Sequence, residues 1–410
     1  MRDVTGAGGV TGAGGATGAG GVTGPGPRRV YADHAATSPL RPAAAEAQRR
    51  TENLLNPAGQ YASGREARRV LEESREEIAA LLGADPVEVV FTASGTEADG
   101  IALQGLAFAS RRRRGARTVV APETEHPAVG ETVAWLTGDV LGFDHAVLPV
   151  DADGRPAVPD AADLDPARDA VVTAMWANNE TGAVTDVAGI TAACARADVP
   201  VHVDAVQAVG HLPVDFHRLG ATTLAASAHK FGGPRSAGIL LVRRDAVLDS
   251  PLRGGGQERG LRPGTVDVRA AAGTAAALAA ACRDMEAEAA RVGALRDRVL
   301  ACVRGIDGAR VWTTEPALPG HAHMSFPGAE GDSLIMLLDA AGIDAATGSA
   351  CSAGVNRASH VLTAMGVPVE VARGALRLTL GHTTTEEDVA RIVEVLPGVV
   401  ERARAAGMAY

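Results

Sequence analysis

The chain has 410 residues and a formal net charge of −10, with 46% hydrophobic but only 3% aromatic residues. That length suits two domains or one large α/β domain with an appendage, and the core must be aliphatic. The negative charge argues against nucleic acid as a main partner. No apolar run is long enough to cross a bilayer: the best candidate, residues 270–282, is short, Ala-rich and flanked by Arg269 and Arg283.

Residues 1–28 form a Gly-rich tail that cannot bury enough apolar surface to offset its ordering entropy, so disorder is expected. It has no apolar h-region, so no signal peptide is read and a reducing cytoplasm is expected. A strand follows at 30–33, and Pro39 and Pro42 bracket a helix start. A helix at 63–82 ends near Gly83. Strands and helices then alternate: strand 89–92, helix 96–113, strands 118–121 and 170–176, helix 188–196, strands 199–204, 222–227 and 237–243. The run Arg111 to Arg114 closes one of these helices just before Gly115 and reads as a solvated helix end. Several strands are continuous apolar runs, the mark of a mostly parallel sheet covered on both faces. The pattern predicts a large α/β domain over 29–275, whose first strand packs with a smaller α+β domain at 276–410. A long helix at 268–304 leads into the smaller domain. Strands at 310–312 and 323–326, a helix from Asp332, a strand at 376–380 and a final helix opening on a Thr384–Glu387 capping box complete it.

Four cysteines (Cys194, Cys282, Cys302 and Cys351) lie far apart without a C-x-x-C pair, which leaves no disulfide framework or zinc knuckle to expect. Of 39 basic residues all but Lys230 are Arg. A guanidinium stays protonated and cannot serve as an amine nucleophile, so a lone lysine in an Arg-rich chain is a candidate for covalent chemistry. Compositional drift explains it equally well until its neighbours are read.

Ligands of open α/β sheets bind at the carboxyl ends of the strands. After strand 89–92 comes Ala93-Ser94-Gly95-Thr96-Glu97, a phosphate cradle at a helix start or an ordinary N-cap at Thr96. Asp204 ends the next relevant strand and could keep a pyridine nitrogen protonated, or simply make a turn. Ser227-Ala228-His229-Lys230 ends another. A hydroxyl cradle, a strand-end Asp and a strand-end Lys on one sheet form a pyridoxal phosphate site. His321 and His323 share a strand face, but without a third ligand two surface or core histidines are the better reading. The Gly-rich stretch 254–264 lacks the pattern of a nucleotide loop.

The chain resembles the NifS/IscS-type cysteine desulfurases, in the class V aminotransferase group of fold-type I enzymes. The resemblance runs from Tyr31 to the final helix, on Tyr31-Ala-Asp-His-Ala-Ala-Thr37, Asn56-Pro57-Ala58, Phe91-Thr-Ala-Ser-Gly-Thr-Glu97, Thr124-Glu-His126, Asn178-Asn-Glu180, His202-Val-Asp-Ala-Val-Gln207, His229-Lys230, Gly254-Gly-Gly-Gln-Glu-Arg-Gly-Leu-Arg-Pro-Gly-Thr265, Gly348-Ser-Ala-Cys351 and Arg377. It implies that Lys230 holds pyridoxal 5'-phosphate as a Schiff base, with His126 on the ring face and Asp204 at the ring nitrogen. Gln207 and Asn179 would contact the ring hydroxyl and the substrate. Gly95, Thr96, Ser227 and His229 would hold the phosphate, which Thr265 reaches from the second subunit of a homodimer. Arg377 would bind the carboxylate of L-cysteine as a bidentate fork. Cys351, on a long small-residue loop, would take the sulfur as a persulfide, with His126 as acid/base partner, and pass it to an iron–sulfur scaffold or a thiolation enzyme. The other three cysteines fall in helical apolar patterns and read as core. A selenocysteine lyase or an aminotransferase would need Lys230 and Asp204 but not Cys351, and a scaffold protein would need neither. Gly59, Tyr61 and Gly100 depart from the family's usual Ser, His and Asn.

Overall fold

The computed structural model describes residues 28–348 and 358–407. Of the expected tail at 1–28, residues 1–27 lie outside the described residues, as does the loop at 349–357 with Cys351, whereas Arg28 is described and pairs with Asp388. In chain order the elements are β1 (Val30–Tyr31), α1 (Pro42–Thr51), α2 (Ala62–Leu82), β2 (Val89–Thr92), α3 (Gly95–Arg114), β3 (Thr118–Ala121), α4 (Pro127–Thr137), β4 (Asp144–Val147), β5 (Asp169–Met175), α5 (Val187–Arg196), β6 (Val201–Asp204), α6 (Phe216–Leu219), β7 (Thr223–Ser227) and β8 (Gly238–Val242). They continue with α7 (Val268–Arg304), β9 (Arg310–Val311), β10 (His321–Ser325), α8 (Gly331–Ala340), β11 (Ile343–Asp344), α9 (His360–Ala364), α10 (Val369–Ala372), β12 (Ala375–Thr379) and α11 (Glu386–Gly407).

A seven-stranded sheet in the order β2-β8-β7-β6-β5-β3-β4 forms the main body. Strands β7, β6, β5, β3 and β4 run parallel to one another, while β8 is antiparallel to both of its neighbours. Every position of β5 to β8 is buried, because helices cover both faces. Successive side chains serve opposite faces. Ile239 and Leu241 join the core beneath α2 and α7 with Leu71, Ile78 and Leu82, while Leu240 and Val242 join Ile101 and Ala102 of α3. In α2 the buried Ala67, Leu71, Ile78 and Leu82 recur at helical spacing, and Gly83 ends the helix at φ 63°. The Arg111 to Arg114 run closes α3, with Gly115 at φ 76° as its cap.

A second core surrounds the three-stranded antiparallel sheet β12-β10-β9. It takes Val292 to Val303 of α7, together with residues of α8 and α11, and also Val30 and Ala32. The chain's first strand belongs there because β1 pairs in parallel with β11. Helix α7 therefore serves two cores, the first through Val268 to Ala281 and the second from Val292 onward.

The expected elements differ mainly by a residue or two at their ends. Helices α4, α6, α9 and α10 and strands β4 and β11 escape the sequence pattern. Strand β4 is mostly exposed at an edge and so lacks an apolar run. The last helix opens one residue later than expected. Thr385 Oγ1 accepts from Asp388 N at 3.3 Å, and Asp388 Oδ2 accepts from Thr385 N at 2.9 Å. The reciprocal cap is thus Thr385–Asp388 rather than Thr384–Glu387, because Thr384 Oγ1 is engaged by Gly381 N.

Candidate active site

Strand β7 ends at Ser227, and a single tight turn carries Ala228, His229 and Lys230 away from it. Lys230 Nζ donates to the carbonyls of Ala35 at 2.6 Å and Ala36 at 3.1 Å. Gln207 Nε2 donates to the same Ala35 carbonyl at 3.0 Å, and Thr37 Oγ1 lies 3.0 Å from His229 Nδ1. Residues 33–38 thus cross the strand ends and are read by three predicted site residues. Burial, followed by the Arg377 guanidinium, brings the Lys230 amine down to about 8, against the opposing pull of Asp204 and Asp33. Its neutral, nucleophilic form is therefore accessible near neutral pH.

Beneath it the site has an acid floor. Asp204, at the end of β6, accepts from Val206 N at 2.9 Å, so it makes the local turn as well as facing the site. Burial and then Asp99 raise it to about 7. Asp99 is raised to about 8 by burial, and Glu125 is raised by burial, then Asp204, then Asp99. His202 lies between Asp99 Oδ1, 3.1 Å from Nε2, and Thr223 Oγ1, 2.9 Å from Nδ1. Burial holds its imidazole down at about 4. Near neutrality Asp99 is therefore mostly a neutral acid, and Asp204 is the more able of the two to carry charge.

The segment expected to cradle phosphate opens α3. Its N-cap is Ser94, whose Oγ accepts from Glu97 N at 3.0 Å. The alternative of a cap at Thr96 is thereby corrected: Thr96 lies past the cap and is exposed. A Cβ on Gly95 would stand 2.7 Å from Val206 Cγ2 and 3.2 Å from Ser227 Cβ. Glycine there lets the α3 start pack against the Val206 side chain, with Ser227 at the end of β7 close beside it.

At the rim His126 precedes Pro127 and caps α4, its Nδ1 accepting from Ala128 N at 3.1 Å. The ring proton therefore sits on Nε2. Burial first, and then Lys230, hold this imidazole down at about 4. Arg377, buried on β12, donates from Nη2 to Asp33 Oδ1 at 2.7 Å and from Nη1 to the Asn179 carbonyl at 2.8 Å. Its Nε and the Asn179 side-chain oxygen are buried without a partner. The expected open fork is thus half-closed by Asp33. Ser359 Oγ donates to Glu180, and His360 Nε2 lies 2.9 Å from the Glu125 carbonyl. Thr265 stands apart from this cluster, exposed two residues before the Asp267 cap of α7.

Residues 30–392 match the family described as aminotransferase class-V. The chain is 46% identical over 397 residues to an IscS-like cysteine desulfurase of Mycobacterium tuberculosis, covering 92% of this chain and 98% of the relative. It is 37% identical to a cysteine desulfurase IscS of Methanosarcina thermophila, covering 92% and 93%. Among solved structures a NifS-like protein superposes with a TM-score of 0.84 at 32% identity, covering 91% of this chain and 100% of that one. SspA in complex with cysteine gives 0.74 at 28%, covering 87% and 99%.

The chain belongs to the class-V aminotransferase family, among the IscS/NifS-type cysteine desulfurases. That family works with pyridoxal 5'-phosphate, and the glycine-dependent cradle, the unpartnered Asn179 oxygen and the near-neutral Lys230 amine fit such a group.

Sequence reading overlooked Asp33, Asp99 and Glu125. Asp33 and Glu125 stood inside quoted motifs, but a role for them appears only once distant elements meet. His321 and His323 are both buried on β10 and belong to no metal-like cluster among the described residues. The one such group there is Asp85, Glu88 and His217. It is already engaged: Glu88 accepts from Asp85 N and Arg244 N, and Asp85 pairs with Arg244. Of the cysteines expected in the core, Cys194 is buried, while Cys282 and Cys302 are partly exposed. Of the family departures, Gly59 and Tyr61 lie against each other, a Cβ on Gly59 falling 2.6 Å from the exposed Tyr61 ring.

Proposed function

We propose that this cysteine desulfurase takes sulfur from L-cysteine, releases L-alanine, and carries the sulfur on Cys351, with pyridoxal 5'-phosphate held covalently by Lys230. The observation that carries this reading is the Lys230 amine, brought to about 8 by burial, after the end of β7 with His229 and beside the parallel end of β6, which presents the buried Asp204 and Gln207. When bound, the cofactor supplies an electron sink for charge that develops at the substrate Cα.

The chain's own groups supply the rest. Asp204 would stabilise positive charge at the ring nitrogen, His126 would cover the ring face, and Gln207 and Asn179 would reach the ring hydroxyl and the substrate. Gly95, Thr96, Ser227 and His229 hold the phosphate, and Thr265 reaches it from a second copy in a homodimer. Arg377 takes the substrate carboxylate, which competes with Asp33 for the guanidinium. Lys230, once freed, moves the Cα proton. The Cys351 thiolate attacks the substrate sulfur, so that an S–S bond forms as the C–S bond breaks, and the alanine carbon takes up a proton. The neutral His126 imidazole, with its proton on Nε2, serves the thiol steps.

The sulfur then passes to an acceptor protein, an iron–sulfur scaffold or a thiolation enzyme. We also place the division between a larger and a smaller domain near residue 275, a reading supported by the two cores that α7 serves. The decisive experiment follows alanine and sulfide formation from L-cysteine in Cys351→Ser. The variant should stay yellow while sulfide formation collapses; unchanged sulfide release would sink the persulfide assignment.

A further inference from the structure

Glu258 and Arg259 adopt consecutive left-handed backbone conformations, φ 47° and φ 59°. Side chains larger than glycine rarely do so, and such strain persists only where surrounding contacts over-determine it. Here the contacts are unusually complete. The Glu258 side chain is 3% exposed and pairs with Arg75, whose own side chain is 11% exposed. Arg75 Nη2 donates to Glu258 Oε1 at 2.7 Å and Nη1 to Oε2 at 2.9 Å. Arg75 Nη1 also donates to the Val89 carbonyl at 2.6 Å, and Phe91 N donates to Glu258 Oε2 at 2.7 Å.

Val89 and Phe91 belong to β2, the edge strand of the main sheet. Its outward carbonyl and N–H would otherwise invite another strand. The ion pair satisfies both, standing in for a missing strand and anchoring the loop to the sheet. The Arg75 guanidinium also lies over the Phe91 ring, 4.8 Å from its centroid.

From this anchor the loop closes on itself: Gly264 N donates to Gln257 Oε1 at 2.9 Å. Arg259 Nη1 reaches the carbonyls of Val87 and Val242, each at 3.2 Å, and Arg262 Nε lies 3.4 Å from Glu97 in the first turn of α3. The next residue after this closure is Thr265, exposed and followed by the Asp267 cap of α7. Thr265 is therefore fixed on both sides, while its own side chain faces outward.

We propose that Glu258 is a positioning residue: through Arg75 and the edge of β2 it holds a strained strap that presents Thr265 to the cofactor phosphate of a second copy. This rests on the assignment of Thr265 given under the proposed function. The strain suits such a task, because a relaxed strap would leave Thr265 free to sample positions that miss the phosphate.

The test compares binding of pyridoxal 5'-phosphate and of pyridoxal, which lacks the phosphate, to the full chain carrying Glu258→Gln, Thr265→Ala or both. Thr265→Ala and Glu258→Gln should each weaken pyridoxal 5'-phosphate about tenfold and leave pyridoxal unchanged. The double variant should bind like Thr265→Ala alone, since the two act through one contact. Gln257→Ala, which opens the loop closure without disturbing a buried charge, should reproduce the effect if Glu258→Gln folds poorly. Wild-type binding by both strap variants, an equal loss for pyridoxal, or multiplying losses in the double variant would overturn the role of Glu258 alone. No effect from Thr265→Ala would remove the assignment of Thr265, and the task of Glu258 with it.

Discussion

The floor and the rim of the site are built on opposite electrostatic terms. Around the Lys230 end of the sheet three carboxyls, Asp99, Asp204 and Glu125, are buried, with His202 against Asp99 alone by hydrogen bond, and burial drives all three upward. Such a floor holds a proton on Asp99 near neutrality and leaves Asp204, at about 7, poised to take up charge. At the rim the Arg377 guanidinium is already paired with Asp33 and held by the Asn179 carbonyl. One region gathers buried acids, while the other holds a guanidinium that, on the proposed reading, a substrate carboxylate would have to win from Asp33. The difference teaches that cofactor retention and substrate capture are separable: a variant in the floor should alter the first and one at the rim the second.

The largest expected effect comes from the residue between the two regions. Lys230→Ala should lower alanine formation by about a thousandfold or more and abolish the yellow colour, read by absorbance and product assay. At the rim, Arg377→Ala should lower kcat/KM by about a hundredfold, mostly through KM, and Arg377→Lys should not restore it because an ammonium lacks the planar fork. Asp33→Asn should change KM by about tenfold at most with kcat nearly intact. A larger loss in kcat than in KM would show that Asp33 positions Arg377 rather than competing for it.

Two smaller effects concern protons. A Lys230 amine at about 8 is mostly protonated below that pH, so cofactor attachment to the stripped chain should accelerate as pH rises through about 8 and then level off. A rate that levels off only near 10.5, the ordinary lysine value, would show that burial does not act on this amine. At Asp99, above the ordinary histidine value of 6.5 and up to about 8, the folded chain keeps a proton that the unfolded chain has lost. Its contribution to stability therefore falls as pH rises through that window. Asp99→Asn should flatten this slope, as measured by denaturant midpoints of the cofactor-free protein. An unchanged slope would mean that Asp99 carries no stored proton.

Much of this site was legible before any coordinates. Lys230 stood out because Arg had taken every other basic position, and Asp204 and Ser227 because each ends a continuous apolar strand. What stayed hidden has a common cause. Asp33 meets Arg377 across 344 positions, and Phe91 meets Glu258 across 167. Nothing local marks either pairing, and Asp99 looks like an ordinary helix residue until His202 faces it. The expected cap at Thr384 failed for a similar reason: two adjacent threonines offer the same hydroxyl, and Gly381 decides between them.

By itself the sequence determined the alternation of strands and helices, the aliphatic two-faced sheet, and the chemistry on offer at the strand ends. These follow from periodicity and residue type, which act over a few positions. Only the tertiary structure decided that the first strand pairs in parallel with Ile343–Asp344 in particular, that Asp33 occupies the Arg377 fork, and that Glu258 stands in for a missing strand at the sheet edge. These depend on where distant segments cross, and a buried charge or an orphaned backbone group finds its partner only once the chain has closed around it.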